Sequence, residues 1–343
     1  MSEEGTEMDG SHTAASARKD TWLWHPPLPL QGIPIFVWPP RPMAALKYLL
    51  SLGFLGSVMV PFGALAIVTW TTLQPALERS VQFQADWILQ MYARNLALMV
   101  IVAGGLHLYF YTFKRQGSER KFDPRNLVRS HRRFFTGSQV RDNMLWSLAS
   151  GVTFWTAYEV VFMWAYANGL LPYYLDWTDH PVWFVLMLLA IPFWASLHFY
   201  VIHRLLHWPP LYKIAHAVHH RNDNTGPWSG LSMHPLEHVI YLSSVLIHVV
   251  LASHPIHIIF HNQWNTLGAA TTHTGFDSVT FKGIPILNLG SFFHQLHHRY
   301  YHCNYGNEFV PWDRWFGSAN DGTPAAVARM RERRRAEPRP AAT

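Results

Sequence analysis

The chain has 343 residues, of which 49% are hydrophobic and only 14% charged, with a formal net charge of +6. Soluble enzymes carry about a quarter charged residues, so this composition points to a membrane protein. The single cysteine, Cys303, excludes an internal disulfide and a thiolate cage for zinc or an iron–sulfur cluster, and length alone allows one to three domains.

Residues 1–42 are acidic, then rich in proline and tryptophan, and lack the basic region, short apolar core and cleavage site of a secretory signal. They read as a cytosolic N-terminal segment, disordered over 1–20. Four apolar stretches follow, at 43–70, 87–113, 144–168 and 182–202. Each is long enough for a hydrocarbon core of ~30 Å, which takes ~20 helical residues. Backbone groups in lipid are satisfied internally, so the stretches read as helices, with kinks expected at Pro61 and Pro192. The loop at 114–143 carries nine Lys and Arg, the loop at 71–86 only Arg79, and the loop at 169–181 none. This asymmetry predicts a cytosolic N-terminus, 114–143 loop and C-terminus.

The fourth span then ends on the cytosolic side at His203. The next apolar region, 239–272, separates two histidine-rich stretches. It reads as a short, partly buried membrane hairpin, because His248, His254, His257 and His261 argue against a plain spanning helix. The basic residues 319–343 read as a disordered tail. The predicted fold class is an all-α integral membrane protein with about four transmembrane helices, a short membrane hairpin and a cytosolic helical cap that carries the histidines. Its membrane-embedded domain covers 43–318, with the histidine region at 198–318.

Histidine is the outlier: there are 22, and 17 lie between His198 and His302. Neutral imidazole is the commonest metal ligand. His203 and His207 stand four apart. His216, His219 and His220 form a His-x2-His-His group, His273 stands alone, and His294, His297 and His298 repeat the group. Spacings of three and four place each group on one helix face. Nine imidazoles exceed the three or four protein ligands of a single ion, and fit two metals with four or five each. All-nitrogen ligation suits iron, zinc, copper or nickel. The isolated His107, His131, His180, His248, His254 and His257 read as hydrogen-bonded residues rather than ligands. His198, about one turn before His203, fits either role.

This order of groups resembles the fatty acid hydroxylase and sterol desaturase superfamily. So do the Met233-His234-Pro235-Leu-Glu237 segment, and the run from His298 through Asn304-Tyr305-Gly306 to Trp312-Asp313-Arg314 and Phe316-Gly317-Ser318. The resemblance covers roughly 195–318. It implies a membrane-bound enzyme that uses two iron ions (Fe2+), O2 and two electrons to hydroxylate, desaturate or oxidise a lipid carbon. It carries the ligand role onto His203, His207, His216, His219, His220, His273, His294, His297 and His298. Where some members have a further histidine, this chain has Asp277. His234, Glu237, His238, Asp277, His302 and Asp313 are further metal-site candidates. Glu237, Asp277 and Asp313 can accept the second N–H of a ligating imidazole. Asp313 also reads as the partner of Arg314 in a structural ion pair, and Asn304 with Gly306 as a positive-φ turn.

The expected substrate is a sterol or fatty-acyl-type lipid, with Tyr200, Trp208, Trp228, Met233 and Phe293 as possible cavity walls. Electrons must come from an external donor, since no dinucleotide fingerprint, cysteine-rich cluster pattern or haem segment is present. A separate ferredoxin or cytochrome b5 type protein is implied. The basic 114–141 loop reads as a topology determinant and headgroup contact, or as a landing site for that donor. Nothing points to nucleic acid. The membrane is a bacterial inner membrane or the endoplasmic reticulum. The rival readings are a zinc hydrolase and a metal transporter. The first lacks a His-Glu-x-x-His pattern, and the second normally places its ligands at mid-span.

Overall fold

A computed structural model describes residues 21–336; the disorder expected over 1–20 lies outside the described residues. Six long helical runs form the body. They are α1 (Pro42–Leu73), α2 (Ala85–Thr112), α3 (139–167), α4 (Pro181–Leu206), α5 (Pro235–Val249) and α6 (Pro255–Thr272). A hairpin of β1 (Ser278–Phe281) and β2 (Ile284–Asn288) follows, then α7 (Phe292–Tyr300) and α8 (Pro324–Ala336). The four apolar stretches read from the sequence fall in α1 to α4. Of these, α1, α2 and α4 are long and apolar enough to cross a membrane. Leu89, Ile101, Val182 and Leu186 face outward, an exposure that lipid relieves.

Pro192 lies within α4, which runs unbroken from Pro181 to Leu206. Pro61 sits where a wide-turn stretch, Leu52–Met59, gives way to regular helix. Such wide turns recur. The Phe113 amide reaches the Leu108 carbonyl and the Ala217 amide the Tyr212 carbonyl, both at 2.8 Å. Each adds a residue to its turn and rotates the following face, which a 3.6-residue period does not anticipate.

The region expected to be a partly buried hairpin forms the helix pair α5 and α6, and α6 is buried more fully than expected, as the pillar of the bundle. Fourteen of the 18 residues of α6 are buried. Small residues allow this: a Cβ on Gly230 would stand 2.1 Å from the Ala269 carbonyl oxygen. The histidines of this region serve structure. His254 Nδ1 accepts from the Ile256 amide (3.1 Å), and the His254 amide donates to His257 Nδ1 (3.0 Å), so two imidazoles cap α6. Between α2 and α3, Arg94 pairs with Glu159 in the apolar interior. Trp155 Nε1 donates to the other carboxylate oxygen at 2.6 Å, and Asn95 and Gln74 complete the set.

One expectation about the ends is corrected. Residues 319–343 were read as a disordered basic tail, but 324–336 form α8. Ala326, Val327 and Met330 are buried against Phe122, Phe292 and Leu296, because the basic run hides an apolar stripe on one helix face. The described part of the N-terminal segment joins this packing. Trp22, Trp24, Leu28 and Leu30 pack on the same cluster, and the Leu23 amide donates to the Phe122 carbonyl. The hairpin departs from the all-α expectation. Its two-residue turn has Lys282 at φ 51° and Gly283 at φ 78°, the twist that joins two strands directly.

The buried Arg94–Glu159 pair yields a test. Arg94→Ala strands a carboxylate among apolar side chains and should cost about 3–5 kcal/mol. Thermal melting in detergent should show a clearly lowered midpoint, largely restored when Glu159→Leu is added.

Candidate metal centre

The ligand-bearing segments reach one place by different routes. His203 and His207 lie at the C-terminal end of α4, and His216 at the end of the short run Tyr212–His216. His219 and His220 open a tight turn, held where Asn222 Oδ1 accepts from Gln139 Nε2 (2.9 Å) and Asn143 Nδ2 (2.8 Å) of α3. His273 follows α6, and His294, His297 and His298 lie on α7, whose N-cap Ser291 accepts from the His294 amide.

All nine sequence-predicted histidines meet, in two clusters. One holds His203, His207, His216, His220 and His297; the other holds His219, His273, His294 and His298. All are buried except His207, which is half-buried. The expected grouping by helix face is only part of the arrangement. Each His-His doublet is split, so that His219 and His298 enter one cluster and His220 and His297 the other. Adjacent residues point about 100° apart on a helix, and the doublet rings stand at 81° and 84° to one another.

The nitrogens facing inward do not make an ordinary hydrogen-bond network. Nδ1 of His203 lies 2.6 Å from the Tyr305 carbonyl oxygen, Nδ1 of His297 2.6 Å from that of Cys303, and Nδ1 of His273 2.8 Å from that of Ala269. A carbonyl only accepts, so each Nδ1 carries the ring's proton and each Nε2 is a bare lone pair. The Nε2 atoms converge. Nε2 atoms of His273, His294 and His298 form a triangle with edges of 3.0, 3.1 and 3.1 Å. Those of His207, His220 and His297 form another, with edges of 3.0, 3.1 and 3.2 Å. His203 and His216 Nε2 lie 3.0 Å apart.

This donor set fits metal ions. Two nitrogens at about 2.1 Å from a shared ion stand about 3.0 Å apart at right angles and about 3.4 Å apart in a tetrahedron. The observed edges match right-angle ligation. Glu237 Oε1 lies 2.7 Å from His216 Nδ1, while its Oε2 is buried without a partner. Burial pushes the Glu237 carboxyl well up, and a cation beyond the His216 ring would supply the charge that keeps it ionised. Burial, reinforced by neighbouring imidazoles, holds His216, His219, His220, His294, His297 and His298 well below the usual imidazole range. They stay neutral, the form that ligates.

The other candidates lie outside both clusters. Asp277, the candidate for an extra ligand, is instead paired with Arg120 at 2.9 Å. His234 caps α5 through the Leu236 amide, and His238 sits between Ser150 Oγ (2.9 Å) and the Leu231 carbonyl (3.1 Å). His302 is exposed. His198 bonds Ser243 Oγ at 3.0 Å. Asp313 does not pair with Arg314, which reaches the Leu30 carbonyl instead. Asp313 accepts from the Tyr305 and Gly306 amides (2.8 and 2.7 Å) and from Ser318 Oγ (2.5 Å), fixing the turn whose carbonyl orients His203. In that turn Asn304 has the expected positive φ, 55°, but Gly306 does not.

A cavity of about 360 Å³ opens against only one cluster, touching His219, His273 and His294. Its walls include Phe62, Phe199, Met233, Trp264 and Phe309. Of the five wall residues suggested by the sequence, only Met233 reaches it; Tyr200 stacks on Trp312 and Phe316 instead. Sequence reading missed Phe199, which stacks on His203 at 4.8 Å; its place four residues before His203 was the available signal. Glu308 also lines the cavity, and burial raises its carboxyl. Its exposed surface faces the cavity rather than bulk water. On the outer side, Arg125 and Arg133 of the basic loop are engaged by Asp123 and Asp223, and Asp123 also holds Arg299 of α7.

Comparison with known proteins places this geometry in context. The fatty acid hydroxylase family model matches residues 184–318. A Delta(7)-sterol 5(6)-desaturase of Eremothecium gossypii is 33% identical over 119 residues, 35% of this chain and 33% of that protein. A Delta(7)-sterol-C5(6)-desaturase of Nicotiana tabacum is 30% identical over 160 residues, 46% of this chain and 56% of that protein. Methylsterol monooxygenase 1 of Gallus gallus is 31% identical over 157 residues, 43% of this chain and 51% of that protein. The chain thus spans from a third to just over half the length of these relatives. No solved structure gives a significant match.

Three measurements test the centre. Elemental analysis of protein loaded anaerobically with iron should find two ions per chain, and close to one after either His294→Ala or His220→Ala. Glu237→Gln should weaken the five-histidine site about 10–100-fold. The metal-free protein should lose thermal stability as pH falls from about 7.5 to about 5.5. Unfolded imidazoles take up protons near pH 6.5, while the folded ones stay neutral, so acid favours the unfolded chain.

Proposed function

Because its histidine segment belongs to the fatty acid hydroxylase and sterol desaturase superfamily, we propose that this chain is a di-iron, O2-dependent lipid oxidoreductase working at the cytosolic membrane face. The observation that carries the proposal is the convergence of nine imidazoles in two adjoining clusters, one of which forms part of the wall of an apolar cavity. The right-angle spacing of the nitrogens favours iron over tetrahedral zinc. Iron held by His203, His207, His216, His220 and His297, and by His219, His273, His294 and His298, supplies the O2 activation needed to break an unactivated C–H bond.

The chain's own residues perform the rest. Phe62, Phe199, Met233, Trp264 and Phe309 exclude water and hold an apolar chain or ring system against the four-histidine cluster. Tyr305, Cys303 and Ala269 hold the ring protons of His203, His297 and His273 on Nδ1. Hydroxylation inserts one oxygen atom into the lipid, whereas desaturation removes two hydrogens. Each draws two electrons from a separate ferredoxin or cytochrome b5 type protein. The names of the relatives make a sterol-type lipid the first candidate substrate. The cytosolic placement is supported by the Asp123–Arg299 contact, which joins the most basic loop to the ligand helix.

The test compares lipids extracted from cells expressing the wild type or His219→Ala/His220→Ala with a compatible electron donor. High-resolution mass spectrometry should find, in the wild type alone, a lipid heavier by about 16 mass units (hydroxylation) or lighter by about 2 (desaturation). Identical lipids with an active donor, together with tightly bound zinc and no O2 consumption, would overturn the proposal.

A further inference from the structure

We propose that Asn265 receives the hydroxyl group of a neutral lipid alcohol, in an amide orientation imposed by a one-way hydrogen-bond chain through α5 and α6. The identity of the ligand as a lipid substrate rests on the oxidoreductase reading above. The chain of bonds starts at the Leu251 carbonyl, which only accepts. Ser253 Oγ donates to it at 2.8 Å, so its single proton is used. His248 Nδ1, 2.6 Å from Ser253 Oγ, must therefore be the donor. In a neutral ring, the form an apolar bundle favours, His248 Nε2 is then bare and accepts from His261 Nδ1 at 3.1 Å. His261 Nε2 is in turn bare and accepts from Ser244 Oγ at 3.0 Å. With the Ser244 proton used, the 2.8 Å contact from Asn265 to Ser244 Oγ can only be made by the amide nitrogen. Every side chain in the series is buried.

The consequence falls on the cavity. Asn265 lines it, and with Nδ2 committed to Ser244, Oδ1 is the free end of the amide. Among the described residues Oδ1 has no protein hydrogen-bond partner, and it is not an enclosed orphan atom. Several other acceptors of the wall are occupied. Asn307 Oδ1 takes Ser196 Oγ and the Phe309 amide, Ser57 Oγ takes the Asn288 amide, and Ser291 Oγ takes the His294 amide.

A fixed carbonyl acceptor in an apolar cavity calls for a donor. A hydroxyl supplies one; an ionised carboxylate or a phosphate diester offers only acceptors. Asn265 precedes His273 by eight residues, roughly 12 Å along α6. The hydroxyl end therefore lies deep in the bundle, and the oxidised carbon is remote from the carbon that bears it.

The test uses the full chain in lipid nanodiscs and equilibrium binding of two probe pairs: cholesterol with its methyl ether, and hexadecanol with its methyl ether. In the wild type, at least one alcohol should bind about tenfold more tightly than its ether. Asn265→Leu should abolish that preference and leave the ether's affinity unchanged. Ser244→Ala, which leaves the amide free to turn, should reduce the preference at least threefold. If neither alcohol is preferred by the wild type, or if the preference survives Asn265→Leu, the proposal is overturned. Should Asn265→Leu not fold, an undiminished preference in Ser244→Ala overturns it equally. Lipid analysis of the same preparations separates this from the oxidoreductase reading: an oxidised product without alcohol preference removes only the role of Asn265, and alcohol preference without any oxidised product removes only the oxidation.

Discussion

The donation of imidazole Nδ1 protons to backbone carbonyls is the interaction on which the site depends. Once the carbonyls of Tyr305, Cys303 and Ala269 hold those protons, the Nε2 atoms of His203, His297 and His273 are left as lone pairs aimed at the neighbouring imidazoles of their clusters. Much of the chain serves this arrangement. Asp313 ties the Tyr305–Gly306 turn, and Asn304 Nδ2 binds the Phe293 and Asn320 carbonyls (both 3.0 Å) so that the segment after α7 doubles back under it. The N-terminal tryptophans and α8 pack on the far side of α7. Segments remote in sequence thus buttress three carbonyl oxygens.

The two clusters are not equivalent. Only the four-histidine cluster faces the cavity, whereas the five-histidine cluster is walled in by Tyr305, Tyr212 and Glu237. Contact with a bound molecule and charge compensation by a carboxylate are therefore divided between them. The histidines of α5 and α6 form a third population. They cap a helix and connect serines in a dry interior, where hydrogen bonds join helices that lipid gives little reason to associate.

Much of the site was legible because imidazole ligation leaves a dense local signature. The nine histidines stand out by residue type and spacing, and their number suits two ions, but which of them share a cluster was not legible, because each His-His doublet is split. The roles of Asp277 and Asp313 were not legible, because each depends on a partner distant in the chain or on backbone amides that any sequence has. The four apolar stretches marked α1 to α4, but the wide turns within them left no mark in composition. The interior position of α6 was hidden by its histidines, which read as polar until their partners are seen. α8 was hidden by the opposite bias, arginines masking Ala326, Val327 and Met330. The Lys282-Gly283 turn, between Val279-Thr280-Phe281 and Ile284, is a local hairpin signal that the sequence reading did not take up.

The split doublets make this centre depend on phase rather than on content. His297 and His298 serve different clusters because neighbouring side chains leave α7 in different directions, and His219 and His220 are parted in the same way. One residue inserted between His294 and His297 would keep the full complement of imidazoles. It would also turn each ligand after the insertion away from its own cluster, and pull the chain off the carbonyl that orients it. The histidine count would be unchanged and the centre lost.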